Sequence, residues 1–191
     1  MLEGRRVRLE PLEPRHADGL WEASRDPRTW TWLSIAPPAT RTELDTFLDA
    51  ALAAADAGSE IPLVTTTDER VVGSTRFLAL RPEHGSVEIG WTWLHPSVWG
   101  TGVNVEAKLL MLRHAFEAWS CRRVELKTDA LNARSRGAME AMGATFEGVH
   151  RKHMLVRGGE NRDSAWYSVT DDEWPGVRDG LVARLENATD A

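Results

Sequence analysis

Two periodicities in the hydrophobic pattern divide the chain into strands and helices. Alternation of apolar and polar residues, as around Val7 and Leu9, predicts β-strands. The predicted strands cover residues 5–12, 61–67, 71–80, 87–94, 124–128, 145–156 and 164–169. Apolar residues three or four positions apart predict helices, and the most regular stripe joins Val105, Leu112 and Trp119. The predicted helices cover residues 14–24, 44–55, 103–119, 132–142 and 173–186.

The connections between these elements favour an α+β fold. Asp68-Glu69-Arg70 has the length of a hairpin turn, and residues 25–38 predict a loop that carries prolines and tryptophans. Most strands follow one another directly, which is typical of an antiparallel meander. One strand–helix–strand unit over residues 87–128 adds a mixed part to the sheet. We therefore expect one α+β domain over residues 1–191.

Composition narrows the classes of function. Lys and Arg number 23 against 29 Asp and Glu, and the resulting net charge of −6 argues against a nucleic-acid binder. No apolar run of about 18 residues occurs, so we expect no membrane contact and a cytoplasmic protein. The single cysteine, Cys121, excludes a disulfide framework. The chain has nine tryptophans but one tyrosine, Tyr167, so a tyrosine acid is scarce.

A glycine-rich turn precedes the strongest predicted helix. Gly100 and Gly102 can adopt positive φ and allow a ligand to approach the backbone, and the helix from Val103 begins with unpaired N–H groups. Together these features suit a phosphate or pyrophosphate. A tight connection that merely needs glycines is the equal alternative. The turn is neither a Walker loop nor a dinucleotide fingerprint, whose third glycine would fall at Val105.

In this region the sequence resembles the GCN5-related N-acetyltransferase (GNAT) superfamily, in the branch that acetylates the N-termini of ribosomal proteins. The resemblance rests on GRRVRLEPLEPRHADGLWEA, EIGWTWLHP, WGTGVNVEAKLLMLRHAFE, RRVELKTDALNARSRGAMEAMGATFEGVHRKH and RDSAWYSV. The family's pyrophosphate motif, Gln/Arg-x-x-Gly-x-Gly/Ala, falls on Ser97-Val-Trp-Gly-Thr-Gly. Ser97 departs from its first position, whereas both glycines are present.

The resemblance implies a GNAT-like sheet, splayed between its fourth and fifth strands and flanked by helices on both faces. Acetyl-CoA would enter the splay, with its pantetheine paired to the strand end and its pyrophosphate on the glycine turn. No metal is implied. The implied cofactor residues are Trp93, Leu94, Trp99, Gly100, Thr101, Gly102, Val103, Asn104, Asn132 and Ser135.

Glu88 matches the position at which histone-modifying relatives carry a general base. Regular strand alternation predicts its carboxylate on the face opposite Val87, Ile89, Trp91 and Trp93. The alternative is a half-exposed strand glutamate that pairs with a neighbouring cation. The need for a base depends on the acceptor, because deprotonation at pH 7 costs about 4.6 kcal/mol for a lysine amine but about 1 kcal/mol for an α-amine.

Asn132 and Ser135 match positions that contact pantetheine and the sulfur in related enzymes. Their local alternative is an N-cap and a first-turn polar residue, and both roles are compatible. Many relatives carry a tyrosine acid seven residues after this asparagine, where Met139 stands here. Ser135 is therefore the expected donor to the leaving thiolate, and Tyr167 is a remote substitute.

Other candidate residues carry weaker functional interpretations. Trp30, Trp32 and Trp91 would line an amine or peptide pocket through cation–π contacts, or else belong to the core. Cys121 lacks a histidine motif that would activate it, so we interpret it as packed and inert. His150 and His153 lie three apart in a strand, which predicts opposite faces and argues against a shared metal.

The sequence thus predicts an acetyl-CoA-dependent N-acetyltransferase that transfers acetyl directly to a primary amine. A protein N-terminus is the acceptor favoured by the resemblance, and a small-molecule amine such as an antibiotic or polyamine is the alternative. A non-catalytic acyl-CoA-binding module and a plain structural domain are the other classes. Tryptophans and strand edges on the surface leave a homodimer open.

Overall fold

A mixed eight-stranded sheet forms the centre of the protein, in a computed structural model that describes residues 1–68 and 70–187. The strands are β1 (Leu2–Glu3), β2 (Arg8–Pro11), β3 (Ile61–Thr67), β4 (Arg70–Arg81), β5 (Ser86–Leu94), β6 (Arg123–Asp129), β7 (Thr145–Val156) and β8 (Glu160–Thr170). Their order in the sheet is β1-β2-β3-β4-β5-β6-β8-β7. Neighbours are antiparallel except β5 and β6, which are parallel.

Helices cover both faces of this sheet. They are α1 (Ala17–Ser24), α2 (Arg41–Asp56), α3 (Val103–Arg113), α4 (Ala133–Met142) and α5 (Trp174–Asn187). Apolar residues of α1 and α2 form one buried cluster, and those of α3 and α5 form a second cluster on the other face. The expected α+β class, with a mostly antiparallel sheet between helices, is confirmed. None of the described helices is long and apolar enough to cross a bilayer.

The first predicted strand is shorter than its alternation suggests. Residues 5–7 do not pair with a strand, because the Glu106 carboxylate of α3 accepts their backbone N–H groups. The distances from the carboxylate to the nitrogens of Arg5, Arg6 and Val7 are 2.9, 2.7 and 2.9 Å. In the predicted 68–70 turn, Glu69 lies outside the described residues. The helix predicted to residue 119 changes to a π-helical turn at His114–Ala118.

A bulge in β5 overturns the predicted alternation. Trp91 has a φ of +49°, and the register between β4 and β5 shifts at this point. Ile89 consequently packs with the α3 and α5 cluster, whereas Trp93 packs with the α1 and α2 cluster. The prediction that Trp93 shares a face with Ile89 is therefore wrong. An extra residue in one strand inverts the direction of every side chain that follows it.

The parallel pair β5 and β6 separates soon after it begins. Backbone pairing covers three positions, Ser86 with Arg123, Val87 with Val124 and Glu88 with Glu125. Beyond Glu88 the two strands no longer pair, and a cleft opens between them. This is the splay predicted between the fourth and fifth strands, which are β5 and β6 here because Leu2–Glu3 adds a short first strand.

Candidate functional site

The cleft between β5 and β6 has a volume of about 610 Å³ and gathers most of the predicted site residues. It is lined by Glu88, Trp91, Trp93, Leu94, Trp99, Gly100, Gly102, Asn104, Asn132, Ser135 and Trp32. Thr101 and Val103 do not line it, since the Thr101 hydroxyl donates to the Val98 carbonyl and Val103 is in the core. Trp30 does not line it either.

The glycine turn closes one end of the cleft. Gly100 and Gly102 have φ values of +77° and +85°, a left-handed conformation that L side chains rarely adopt. A Cβ added at Gly100 would have no atom within 4 Å, so its backbone faces open space. Gly102 is the residue that precedes α3, whose first N–H groups have no partner within the helix. Ser97 is exposed, and its hydroxyl is 2.8 Å from Nδ1 of His95.

Arg134 adds a positive charge beside this turn that the sequence reasoning missed. Its guanidinium carbon lies 3.6 Å from the centre of the Trp99 ring, and partial burial lowers its pKa. The Trp99 indole N–H donates to the Leu94 carbonyl at 2.9 Å, which fixes the ring that Arg134 covers. The feature of the sequence that could have indicated Arg134 is its position between Asn132 and Ser135. A cation, a left-handed glycine turn and a helix N-terminus together favour an anion.

Four residues that line the cleft each have a buried side-chain atom without a hydrogen-bond partner among the described residues. They are Oγ1 of Thr29, Nε1 of Trp93, Oδ1 of Asn104 and Nε of Arg162. A buried polar atom without a partner costs about 1–3 kcal/mol. A ligand with amide groups along its length would satisfy such atoms. The cleft therefore fits an extended polar molecule with an anionic end.

Glu88 lies at the inner end of the cleft and is bound to Lys127. The Lys127 ammonium donates to both carboxylate oxygens at 2.5 and 2.6 Å, and Glu88 is only 3% exposed. Nζ of Lys127 also lies 5.0 Å from the centre of the Trp166 ring. Glu88 therefore pairs with a neighbouring cation, as expected for a structural glutamate. It also lines the cleft, as a general base must.

Asn132 and Ser135 meet at the start of α4. Oδ1 of Asn132 accepts the Ser135 backbone N–H at 3.0 Å, which is an N-cap, and both residues line the cleft together with Met139. Tyr167 is elsewhere. It is fully buried, its hydroxyl donates to Glu140 at 2.9 Å, and burial raises its pKa. Tyr167 therefore cannot replace the missing tyrosine acid at this cleft.

The three candidate tryptophans have different environments. Trp30 is 0% exposed and packs 5.1 Å from Trp93, so it belongs to the core and not to a substrate pocket. Trp91 lines the cleft and lies 5.0 Å from the Arg76 guanidinium carbon. Trp32 lines the cleft from the 25–38 loop. Two of the three tryptophans, Trp32 and Trp91, therefore line the cleft.

Cys121 and the histidine pair stand outside the cleft lining. Cys121 is buried, and burial raises the pKa of its thiol, which disfavours a nucleophilic thiolate. His150 and His153 do not point to opposite faces as predicted. Their ring centres are 5.7 Å apart, because Lys152 between them has a φ of +51° and the register of β7 shifts there. Both rings contact Trp166.

Lys108 of α3 is a buried amine in the wall of the cleft that the sequence reasoning missed. Its ammonium donates to Oγ1 of Thr92 at 2.6 Å, and that hydroxyl is 2.8 Å from Oγ1 of Thr75. Burial lowers the Lys108 pKa to about 7. The signal in the sequence was a lysine directly before the apolar run 109–112.

We expect Lys108 to make stability rise with pH. Between pH 7 and the unfolded pKa of about 10.4, the unfolded chain binds more protons than the native protein, so the unfolding free energy increases with pH. Urea unfolding at pH 7 and 9.5 should show wild type gaining on the order of 3 kcal/mol relative to Lys108→Met. Lys152→Met, at an exposed lysine, should follow wild type. Parallel pH curves for wild type and Lys108→Met would contradict the lowered pKa.

Comparison with known proteins gives consistent matches over most of the chain. The family described as "Acetyltransferase (GNAT) domain" matches residues 6–145. A crystal structure of a GCN5-related N-acetyltransferase from Brucella melitensis is 36% identical, covers 96% of this chain and 84% of its own, and superposes with a TM-score of 0.89.

Two further relatives are more distant in sequence. YdaF of Bacillus subtilis (strain 168), named as a candidate ribosomal N-acetyltransferase, is 28% identical over 178 residues, which are 90% of this chain and 95% of YdaF. Mycobacterium smegmatis RimJ, crystallised with CoA-disulfide, shares the fold at 24% identity and a TM-score of 0.80, covering 93% of this chain and 88% of RimJ.

Proposed function

Because the chain belongs to the GNAT acetyltransferase family, we propose that it transfers an acetyl group from acetyl-CoA directly to the α-amine of a protein N-terminus. The enzyme class and the cofactor follow from the family. The acceptor is our proposal, and it rests on the chemistry of the cleft. The carrying observation is one cleft that is lined both by the left-handed glycine turn at Gly100 and Gly102 and by Glu88.

The residues of the cleft fit acetyl-CoA. The turn at Gly100 and Gly102, the start of α3 and the Arg134 cation would hold the pyrophosphate, and the backbone at 93–94 would pair with pantetheine. Asn104 would gain the partner that its buried oxygen lacks. When bound, acetyl-CoA supplies the thioester carbon that the amine attacks and the thiolate that leaves. Ser135 lines the cleft, and we expect its hydroxyl to donate a hydrogen bond to that sulfur.

The ion pair of Glu88 favours an α-amine as acceptor. Lys127 already neutralises the carboxylate and occupies both of its oxygens. A base in this state suits an amine that loses its proton easily, directly or through a water. An α-amine with a pKa near 7.8 costs about 1 kcal/mol to deprotonate at pH 7, against about 4.6 kcal/mol for a lysine amine. The name given to YdaF points to a ribosomal protein as the bearer of this amine. With such an acceptor the enzyme would act in the cytoplasm.

A small-molecule amine is the second candidate acceptor. Trp91 and Trp32 at the cleft supply aromatic surfaces that attract a cationic amine such as a polyamine. Calorimetric titration of acetyl-CoA, followed by acetylation assays with N-terminal peptides and with small amines, separates these cases. We expect micromolar binding of acetyl-CoA and a higher kcat/KM for peptides. Higher kcat/KM values for small amines would refute the N-terminal acceptor, and binding without transfer to any amine would refute catalysis.

We expect Gly100→Ala to weaken acetyl-CoA binding by about 10-fold, with a small loss of stability. The new methyl group would project into the open space over the turn, and the left-handed backbone at φ +77° adds roughly 1–2 kcal/mol of strain. Gly58→Ala is the matched control, because Gly58 has a φ of +69°, no neighbour within 4 Å and a position at the end of α2. Calorimetry should give equal affinities for Gly58→Ala and wild type. Equal affinity for Gly100→Ala would exclude this turn as the phosphate site.

A further inference from the structure

Arg162 is a buried guanidinium without a partner. It is 7% exposed and lines the cleft from β8, and burial lowers its pKa. Its Nε atom is buried without a hydrogen bond, and within residues 1–68 and 70–187 no hydrogen bond or ion pair reaches its side chain. Arginine stays charged in proteins, and burying part of a charged group without a hydrogen-bond partner is unfavourable. Such a group requires compensation from outside the chain.

The charged neighbours of Arg162 do not supply that compensation. Asp129 and Glu88 attract it electrostatically, and Arg157 repels it. The Glu88 carboxylate is held by Lys127, and the Asp129 carboxylate accepts the Leu131 backbone N–H at 2.9 Å. Neither acid forms an ion pair with Arg162. The positive charge therefore remains available to a molecule in the cleft.

Arg162 and the proposed base share one face of the sheet. On β8, Arg162, Ser164 and Trp166 alternate along the chain with Ala165 and Tyr167. Ala165 and Tyr167 belong to the buried cluster of α3 and α5, so the side chains of Arg162, Ser164 and Trp166 lie on the other face of the sheet. Trp166 contacts Lys127, which binds Glu88, and Glu88 and Arg162 line the same cleft. An acceptor with its amine at Glu88 would therefore present its neighbouring groups to Arg162.

We propose that the acceptor carries a carboxylate close to its amine and that Arg162 binds this carboxylate. The proposal rests on the amine-acetylating function given above and narrows its substrate class. Guanidinium binds carboxylate through two parallel hydrogen bonds, which single out an acid from its isosteric amide. The carboxylate is supplied by an aspartate or glutamate near a protein N-terminus or by a free amino acid.

The test compares acids with matched amides as acceptors. The peptides are Ser-Glu-Ala-Ala and Ser-Gln-Ala-Ala, both C-terminally amidated, and the small molecules are glutamate and glutamine α-amide. We expect wild type to prefer one acid over its amide by 10- to 100-fold in kcat/KM, in line with a charged hydrogen bond. A preference within the peptide pair assigns the carboxylate to a protein N-terminus, and one within the small molecules assigns it to an amino acid.

Variants connect the preference to Arg162. In Arg162→Gln the acid preference should fall below threefold, whereas Arg178→Gln, which removes a charge paired with Asp179 on α5, should retain it. Arg162→Lys keeps the positive charge but lacks the planar guanidinium group, so its preference for the acid should be intermediate. This variant replaces Arg162→Gln in the test if Arg162→Gln does not fold. Acetyl-CoA affinity should be unchanged in each variant.

Two results would overturn the inference. Equal wild-type rates for both acids and their amides would refute carboxylate recognition and leave amine acetylation standing. An unchanged preference in Arg162→Gln would assign the recognition to another residue. If acetyl-CoA binds but no amine is acetylated, the proposed function fails, and calorimetry of the four acceptors with the CoA complex decides the role of Arg162 separately.

Discussion

Replacement of Glu88 by Gln is expected to lower kcat/KM by about 10²-fold at pH 6.5, the lower end of the usual contribution of a general base. At this pH only about 5% of an α-amine with a pKa near 7.8 is neutral, so the enzyme must remove a proton. At pH 9 the amine is neutral in solution, and the loss should shrink below about 10-fold. Steady-state kinetics from pH 6 to 9.5 with an N-terminal peptide would measure this convergence.

The ion pair with Lys127 calls for a second variant. Glu88→Gln leaves the Lys127 ammonium without its carboxylate, which by itself disturbs the cleft. Combining it with Lys127→Met removes both charges. The double variant should remain as slow as Glu88→Gln if the carboxylate accepts the proton, and it should recover if the unpaired ammonium caused the loss. A pH-independent loss in both variants would reject the base role.

Glu125→Gln is the matched control for this series. Glu125 stands opposite Glu88 in the parallel register of β5 and β6. Its carboxylate binds Arg81 at 3.3 Å and Arg123 at 3.1 Å, and it does not line the cleft. Partly exposed pairs of this kind contribute about 0–1 kcal/mol to stability. We therefore expect wild-type kinetics at every pH.

Replacement of Gly73 by Ala is expected to lower the unfolding free energy by about 3 kcal/mol, near the upper end for overpacking. A Cβ at Gly73 would lie 2.0 Å from the Trp93 carbonyl oxygen and 2.9 Å from Cα of Leu94. Both atoms are backbone, so relief requires β4 to move away from β5. This movement would also shift residues 93 and 94, which are proposed to hold pantetheine. Urea unfolding and acetyl-CoA titration should show both losses.

Gly137→Ala, which is also a glycine-to-alanine substitution, should raise the unfolding free energy where Gly73→Ala lowers it. Gly137 is exposed within α4, and a Cβ there would meet no atom within 4 Å. Alanine in a helix interior is about 0.5–1 kcal/mol more favourable than glycine. This variant should therefore be more stable than wild type. A Gly73→Ala protein as stable as wild type would show that β4 and β5 are not held this closely.

Local patterns in the sequence determined the elements of this protein well. The strands predicted over 61–67 and 145–156 have the observed bounds, because β-branched and aromatic residues favour strands and the glycine and polar residues that flank them favour turns. The prediction of the glycine turn before α3 also depended only on local sequence. Positive φ at Gly100 and Gly102 depends on residue type, and the unpaired N–H groups of the next helix follow from helix geometry.

The failures share one physical reason. A bulge at Trp91 inverted the direction of the side chains that follow it, and an irregular segment around Lys152 turned His153 towards His150; neither Trp91 nor Lys152 is a glycine that would mark the position. The strand predicted over 5–12 lost its first residues to the Glu106 carboxylate, about 100 positions away in sequence. Long-range partners of this kind are invisible to local periodicity.

The sequence by itself determined the family resemblance, the order of elements and the left-handed glycine turn before α3, since each depends on residue type and local spacing. Only the tertiary structure decided which charges meet in the cleft. It paired Glu88 with Lys127, buried Lys108 and left Arg162 without a partner. The protonation, charge and availability of these groups depend on burial and on neighbours from other strands. That environment exists only once β5, β6 and β8 lie side by side.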